Sequence, residues 1–144
     1  MEQNKKLLTS AMEDYLEMIY RYFLTQDNLR INILSDLLNV SAPSATSMVQ
    51  KLYRLGLLDY KKHGVIFLTE SGKDIGKYLL QRHEIIELFL YNLGVCGNTL
   101  TETELIEHNI STATLQKLNI FNKFLNQNSD IKQRYEQFSQ YNIG

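Results

Sequence analysis

The chain is short of cysteine, proline and tryptophan, with one, one and none in 144 residues, and it has no long apolar run. A single thiol, Cys96, permits neither a disulfide framework nor a cysteine zinc cluster within one chain, and reads as a small residue near a loop. No stretch approaches the roughly 20 consecutive apolar residues that a membrane span needs. The opening Met1-Glu2-Gln3-Asn4-Lys5-Lys6 lacks the apolar segment of a signal peptide, so a cytoplasmic protein with no membrane partner is expected. The net charge of −1 argues against a uniformly basic coat for nucleic acid, but the average hides a gradient. Between residues 30 and 62 stand Arg30, Lys51, Arg54, Lys61 and Lys62 against only Asp36 and Asp59, whereas Glu102, Glu104 and Glu107 crowd one short stretch with no base among them.

A hydrophobic content of 44% with 22% charged residues is that of a folded chain, large enough for one core or for a small binding unit with a helical appendage. Apolar periodicity then predicts mostly helices. Ser10 and Glu13 have the spacing of a capping box, opening a helix to about Leu24 with Ala11, Tyr15, Ile19, Tyr22 and Phe23 on its apolar face. A short second helix carries Ile31, Leu34, Leu37 and Leu38 and stops at Asn39-Val40. Ser41 caps a third, with Pro43 in its first turn and Ala45, Met48, Val49, Leu52 and Leu55 at helical spacing before Gly56 ends it. Leu57 to Tyr60 and Val65 to Leu68 read as a two-stranded ribbon around Lys61-Lys62-His63-Gly64. A long helix is expected from Glu70 to about Leu93, capped by Thr69 and closed by Gly94. Thr101 with Glu104 predicts a second capping box, for a helix reaching His108 or Asn109, and Ser111 starts another. A last helix holds Ile131, Tyr135 and Phe138.

Helix, tight turn, helix and ribbon in that order are the parts of a winged helix-turn-helix, in which the second helix of the motif enters a major groove and the ribbon reaches the flanking backbone. Ser41, Pro43, Ser44, Thr46, Ser47, Gln50 and Lys51 occupy the exposed positions of the expected recognition helix. Lys51, Lys61, Lys62 and Arg54 are placed to neutralise phosphates, and Ser44, Thr46 and Gln50 to touch base edges. For Ser41 alone, capping is a sufficient explanation. With no arginine fork for guanine, such a surface would rely on van der Waals contacts, bridging water and DNA shape.

Three helical segments also carry oxygen and nitrogen donors. Asp14 and Glu17, three apart, share a face and repel unless a cation or Arg21 offsets them. His83 stands four before Glu87. Glu104, Glu107 and His108 lie at spacings that put all three on one face, although Glu104 could be only the partner of Thr101. Carboxylates and imidazoles without thiolate suit manganese or ferrous iron better than copper or structural zinc, and four carboxylates have the charge to hold two divalent ions. Leu115, Leu118, Phe121 and Phe124 form a stripe too apolar for a lone surface helix and predict a dimerisation face.

The stretches 10–17 (Ser-Ala-Met-Glu-Asp-Tyr-Leu-Glu), 40–46 (Val-Ser-Ala-Pro-Ser-Ala-Thr), 64–69 (Gly-Val-Ile-Phe-Leu-Thr) and Arg82-His83-Glu84 resemble the iron- and manganese-dependent repressors of the diphtheria toxin repressor family, and its manganese branch in particular. The resemblance covers nearly the whole chain in order. It implies an N-terminal operator-binding winged helix-turn-helix (three helices plus a two-stranded wing, residues 1–70) and a helical metal-binding and dimerisation domain (residues 71–144). It implies that Asp14, Glu17, His83, Glu104, Glu107 and His108 are the metal ligands. The iron branch typically has methionine at the place of Asp14 and cysteine at that of Glu104, so the resemblance favours Mn2+ over Fe2+, and the charge count above is what suggests two ions per subunit rather than one. A chain length without a further SH3-like domain also resembles the manganese branch. Lys62-His63-Gly64 in the wing, where relatives usually carry an aromatic, and Ala45 in place of a β-branched residue are departures that bear on the operator sequence. The expected protein is a homodimeric, metal-activated repressor of metal-uptake genes acting on double-stranded DNA, and not an enzyme. Two other classes fit parts of the pattern. A metal-independent winged-helix regulator would carry the carboxylates as surface charge. A metal-dependent hydrolase would need a general base and a nucleophile, and neither is evident here.

Overall fold

The computed structural model describes residues 8–143, apart from the side chain of Lys62. In chain order the elements are α1 (Ser10–Thr25), α2 (Ile31–Leu38), α3 (Ala42–Arg54), β1 (Leu58–Lys61), β2 (Val65–Leu68), α4 (Glu70–Leu93), α5 (Thr99–Glu107), α6 (Thr112–Gln127) and α7 (Ser129–Tyr141). This is the mostly helical, winged helix-turn-helix order that the periodicity predicts. The chain forms two compact units, one through Leu80 and one from Gln81, so that α4 contributes residues to both. Among the described residues no helix is long and apolar enough to cross a membrane.

The first unit closes around Leu16 and Ile19 of α1, Leu34 of α2, Ala45, Val49 and Leu52 of α3, Leu58, Ile66 and Leu68 of the ribbon, and Ile75 and Leu79 of α4. Removing a leucine side chain of this kind fully from water contributes roughly 1.5–3 kcal/mol, so these positions dominate the stability of the unit. The turn between α2 and α3 is set by Asn39, whose left-handed backbone (φ 54°, ψ 48°) lets its amide donate to the carbonyls of Asp36 and Ser35. Ser41 then caps α3 by accepting from the amide of Ser44 at 3.2 Å. The antiparallel ribbon pairs Leu58 with Leu68 and Lys61 with Val65, and Ile66 and Leu68 face the core. Its tip, residues 62–64, turns through His63 at φ 64° and Gly64 at φ 77°. Thr69 caps α4 by accepting from the amide of Gly72 at 3.1 Å while its hydroxyl donates to the carbonyl of Gly56 at 2.6 Å.

Two helix starts differ from expectation. The cap of α1 is Thr9, not Ser10: the Thr9 hydroxyl accepts from the amide of Met12 at 3.2 Å, and its extended backbone (φ −74°, ψ 164°) places Ser10 inside the helix. Glu13 falls one position too late for a capping box and is almost buried. Serine and threonine are both good caps, serine slightly the better, so the choice of Thr9 is not made by local capping preference. The second correction concerns α5, which begins at Thr99 with Asn98 as its cap and no side-chain cap bond. Thr101 lies within the helix and the Thr101–Glu104 box does not form. The helix also ends one residue earlier than expected, with His108 as its C-cap.

In the second unit, Ile86 and Leu90 of α4 and Leu115 and Leu125 of α6 are buried. Asn122 ties the two helices, donating to the carbonyl of Ile85 at 3.0 Å and accepting from the amide group of buried Asn92 at 3.1 Å. Phe89 meets Phe121 edge to face at 5.9 Å. The Tyr135 hydroxyl donates to the carbonyl of Leu93 at 2.8 Å, although α7 has no buried residue.

A Cβ on Gly76 would lie 2.7 Å from the Cβ of Tyr20, so α1 and α4 approach this closely only because the position is glycine. Gly76→Ala should lower the unfolding free energy by roughly 1–3 kcal/mol, read from urea denaturation; a parental midpoint would contradict that approach. Thr9→Ala should lose about 1 kcal/mol and Ser10→Ala much less, reversing the order that a Ser10 cap requires.

Candidate metal centre and nucleic-acid interface

On α1, Asp14 is exposed and Glu17 half-buried. Glu17 accepts from Arg21 through Nη2 at 3.0 Å and Nε at 3.2 Å, so the guanidinium one turn away offsets the acidic pair as its spacing predicts.

The second unit brings together His83 of α4, Glu107 at the last position of α5, and His108, its C-cap. His83 Nδ1 lies 2.9 Å from Glu107 Oε2, and His108 Nε2 lies 3.7 Å from Glu107 Oε1. One carboxylate is thus shared by two imidazoles. Its side chain is only 3% exposed, and a carboxylate so far from water is stable only beside positive charge or strong donors. The other nitrogen of His83, Nε2, lies 2.9 Å from Glu87 Oε2. A neutral imidazole has one N–H and one lone pair, so it can donate to one of these carboxylates but turns a lone pair toward the other. Both contacts are satisfied together when a further proton lies on the ring or between it and the second carboxylate, or when a metal ion takes the place of a proton. That requirement, with an oxygen and imidazole donor set free of thiolate, fits a hard or borderline divalent ion.

Glu104 stands one turn before this cluster on α5, is exposed, and among the described residues takes no part in the His83, Glu107 and His108 contacts. Glu87 was not among the expected ligands. Its position four residues after His83 is the signal, since side chains at that spacing meet on a helix, and a carboxylate on the second nitrogen of a histidine orients the ring for metal.

The recognition face separates cleanly from the core on α3. Ala45, Val49 and Leu52 are fully buried. Ser41, Pro43, Ser44, Ser47, Gln50 and Lys51 are exposed and Thr46 is partly so. The Ser41 hydroxyl is engaged locally, as the cap and in a 2.8 Å bond to the Ser44 hydroxyl. Lys61 is exposed on the ribbon with its ammonium 5.1 Å from the centre of the Phe67 ring, while the side chain of Lys62 lies outside those described. Tyr53 and Tyr60, absent from the expected interface, pack with tilted rings 5.6 Å apart and are both exposed. Partial burial, followed by the neighbouring Tyr53, raises the Tyr60 phenol above its ordinary range. Of the expected dimerisation stripe, Leu115 is buried within its own unit and Leu118 partly so, while Phe121 (42%) and Phe124 (45%) keep large exposed faces.

Comparison with known proteins agrees with both halves of this picture. Residues 7–65 match the family described as iron dependent repressor, N-terminal DNA binding domain, and residues 69–136 match iron dependent repressor, metal binding and dimerisation domain. The HTH-type transcriptional regulator MntR of Oceanobacillus iheyensis is 37% identical over 126 residues, covering 86% of this chain and 86% of that protein. The protein of the same name from Lysinibacillus sphaericus is 35% identical over 129 residues, 89% of this chain and 93% of the relative. Among solved structures, that of the manganese regulator SloR superposes with a TM-score of 0.69 at 31% identity over 80% of this chain, which spans 53% of the SloR chain. Two successive domain matches in family order, and full-length relatives above 30% identity, establish that the chain belongs to the iron-dependent repressor family.

Proposed function

We propose that this protein is a metal-dependent DNA-binding transcriptional regulator, a manganese-activated repressor of metal-uptake genes that acts in the cytoplasm as a homodimer. Residues 1–70 form the DNA-binding domain and residues 71–144 the metal-binding and dimerisation domain. The observation that carries the reading is the buried Glu107 carboxylate held between His83 and His108, in a chain whose other unit is a winged helix-turn-helix. Asp14, Glu17, His83, Glu104, Glu107 and His108 would hold the metal, two divalent ions per subunit on charge grounds. Glu87 would orient the His83 ring. When bound, the metal would supply positive charge to these carboxylates. Asp14 and Glu17 belong to the DNA-binding unit and His83, Glu107 and His108 to the other. Ligation by both sets at once therefore favours arrangements of the two units in which the sets meet, and shifts the population toward them. A dimer whose two recognition helices then stand about 34 Å apart can fill successive major grooves. Ser44, Thr46 and Gln50 would read base edges, Ser41, Pro43 and Ser47 would pack against the backbone, and Lys51, Lys61 and Lys62 would neutralise phosphates. Phe121 and Phe124, with Leu115 and Leu118 behind them, would meet the partner subunit. No enzymatic reaction belongs to this reading.

Operator binding titrated with Mn2+, Fe2+, Zn2+ and chelator tests it. The parent protein should gain roughly 5–150-fold in operator affinity on saturation with Mn2+ and lose that gain with chelator. Asp14→Ala and His83→Ala should bind DNA equally with and without metal; a full metal response in either would remove it from the site. Glu104→Cys, alone or with Asp14→Met, should strengthen the response to iron or zinc relative to manganese, because a thiolate suits those ions better than a carboxylate oxygen does. With the Thr101 capping box absent, an unchanged order of metals would leave Glu104 with no role as a ligand. Sedimentation at micromolar concentration should show a dimer, and Phe121→Glu with Phe124→Glu should give monomers that keep their helical content.

A further inference from the structure

Arg30 is the N-cap of α2, yet its side chain makes no cap bond. Instead its Nη1 donates to the carbonyl of His63 at 2.6 Å, across 33 residues of sequence, and so reaches the tip of the wing. That carbonyl is presented by two successive left-handed residues, His63 and Gly64. The backbone just before Arg30 is tied to the same ribbon, since Leu29 accepts from the amide of Ile66 at 2.8 Å. The wing is thus strapped to the start of α2 twice, once by main chain and once by a guanidinium.

A neutral donor can also hold a carbonyl, if less strongly, and that one bond engages only part of the Arg30 guanidinium. Arg21 is paired with Glu17 and Lys73 with Glu70, whereas Arg30 is exposed and, among the described residues, pairs with no carboxylate. A guanidinium has five N–H donors in a rigid fork, and one bond to a carbonyl leaves donors able to take a phosphate in bidentate fashion. The α2 amino terminus, where Arg30 stands, adds the positive end of a helix dipole. Lys51 and Arg54 on α3 and Lys61 on the ribbon, cations of the same unit, are exposed as well.

We propose that Arg30 is a DNA-backbone residue that grips a phosphate with the same guanidinium that fixes the wing tip, so that one side chain sets the wing against the recognition helix and anchors both on the duplex. This rests on the DNA-binding reading above and adds to it a residue outside the recognition helix and ribbon. The test uses the full-length, Mn2+-saturated protein and a duplex selected by the parent protein from a random pool. Affinity is measured across about 50 to 200 mM salt, and the flanking backbone is mapped by hydroxyl-radical footprinting. Arg30→Gln keeps a donor for the His63 carbonyl and loses the charge. It should lower the slope of log affinity against log salt by about one and weaken binding by about tenfold, with the flanking footprint retained. Arg30→Lys should keep the parental slope, and Arg30→Ala should lose both the slope increment and the flanking footprint. A parental salt slope in both Arg30→Gln and Arg30→Ala would overturn the proposal. Failure of the parent protein to select any duplex would instead overturn the DNA-binding reading.

Discussion

Much of the second unit depends on one carboxylate. Glu107 is buried at the end of α5 with an imidazole on either oxygen, one from α4 and one from the next residue in the chain. Taking a carboxylate out of water costs several kcal/mol unless charge comes with it, so the packing of α5 on α4 is coupled to whatever cation the two histidines and Glu107 share. Anything that binds the folded arrangement and not the open one stabilises it by mass action. A cation held at this carboxylate, as proposed above, would therefore make helix packing and cation occupancy one equilibrium, which is the physical property a metal sensor needs.

The first unit rests on a mainly apolar core, and its four helices and ribbon are pinned by local devices: the left-handed Asn39 in the turn, the Ser41 cap, the Thr69 hydroxyl shared between Gly72 and Gly56, and the bond from Ile66 to Leu29. A reading head gains from that stiffness, because contacts to successive grooves pay off only when the recognition helix and wing keep a fixed spacing. The exposed face of α3 offers serine, threonine and glutamine with lysines at its margin, chemistry that favours backbone contacts, bridging water and DNA shape over a guanine-specific fork.

Sequence expectation and structure differ where local chemistry is degenerate. Thr9 and Ser10 are both good caps in adjacent positions, and Thr101 with Glu104 has the right spacing for a box that the chain does not use because α5 starts three residues earlier than a Thr101 cap requires. In both cases the choice is made by how the helix packs, since its first turn must begin where its apolar positions meet the core. Glu87 shows the opposite case: its spacing to His83 was visible, but only the second-unit geometry makes it a partner, because His83 is held between two carboxylates at 2.9 Å each.

What the sequence by itself determined is the order and type of elements, the recognition face and the donor chemistry. Period-3.6 apolar stripes, Gly56, Gly94 and the capping serines and threonine mark helices through local physics, and the absence of thiolate other than Cys96 limits the metals that suit the chain. Only the tertiary structure decided that Glu107 is buried between two histidines, that Phe121 and Phe124 remain exposed while Leu115 and Leu125 are covered, and that Arg30 reaches the wing tip. Each of these depends on residues brought together from distant parts of the chain, and burial and long-range hydrogen bonds are properties of packing that no local spacing encodes.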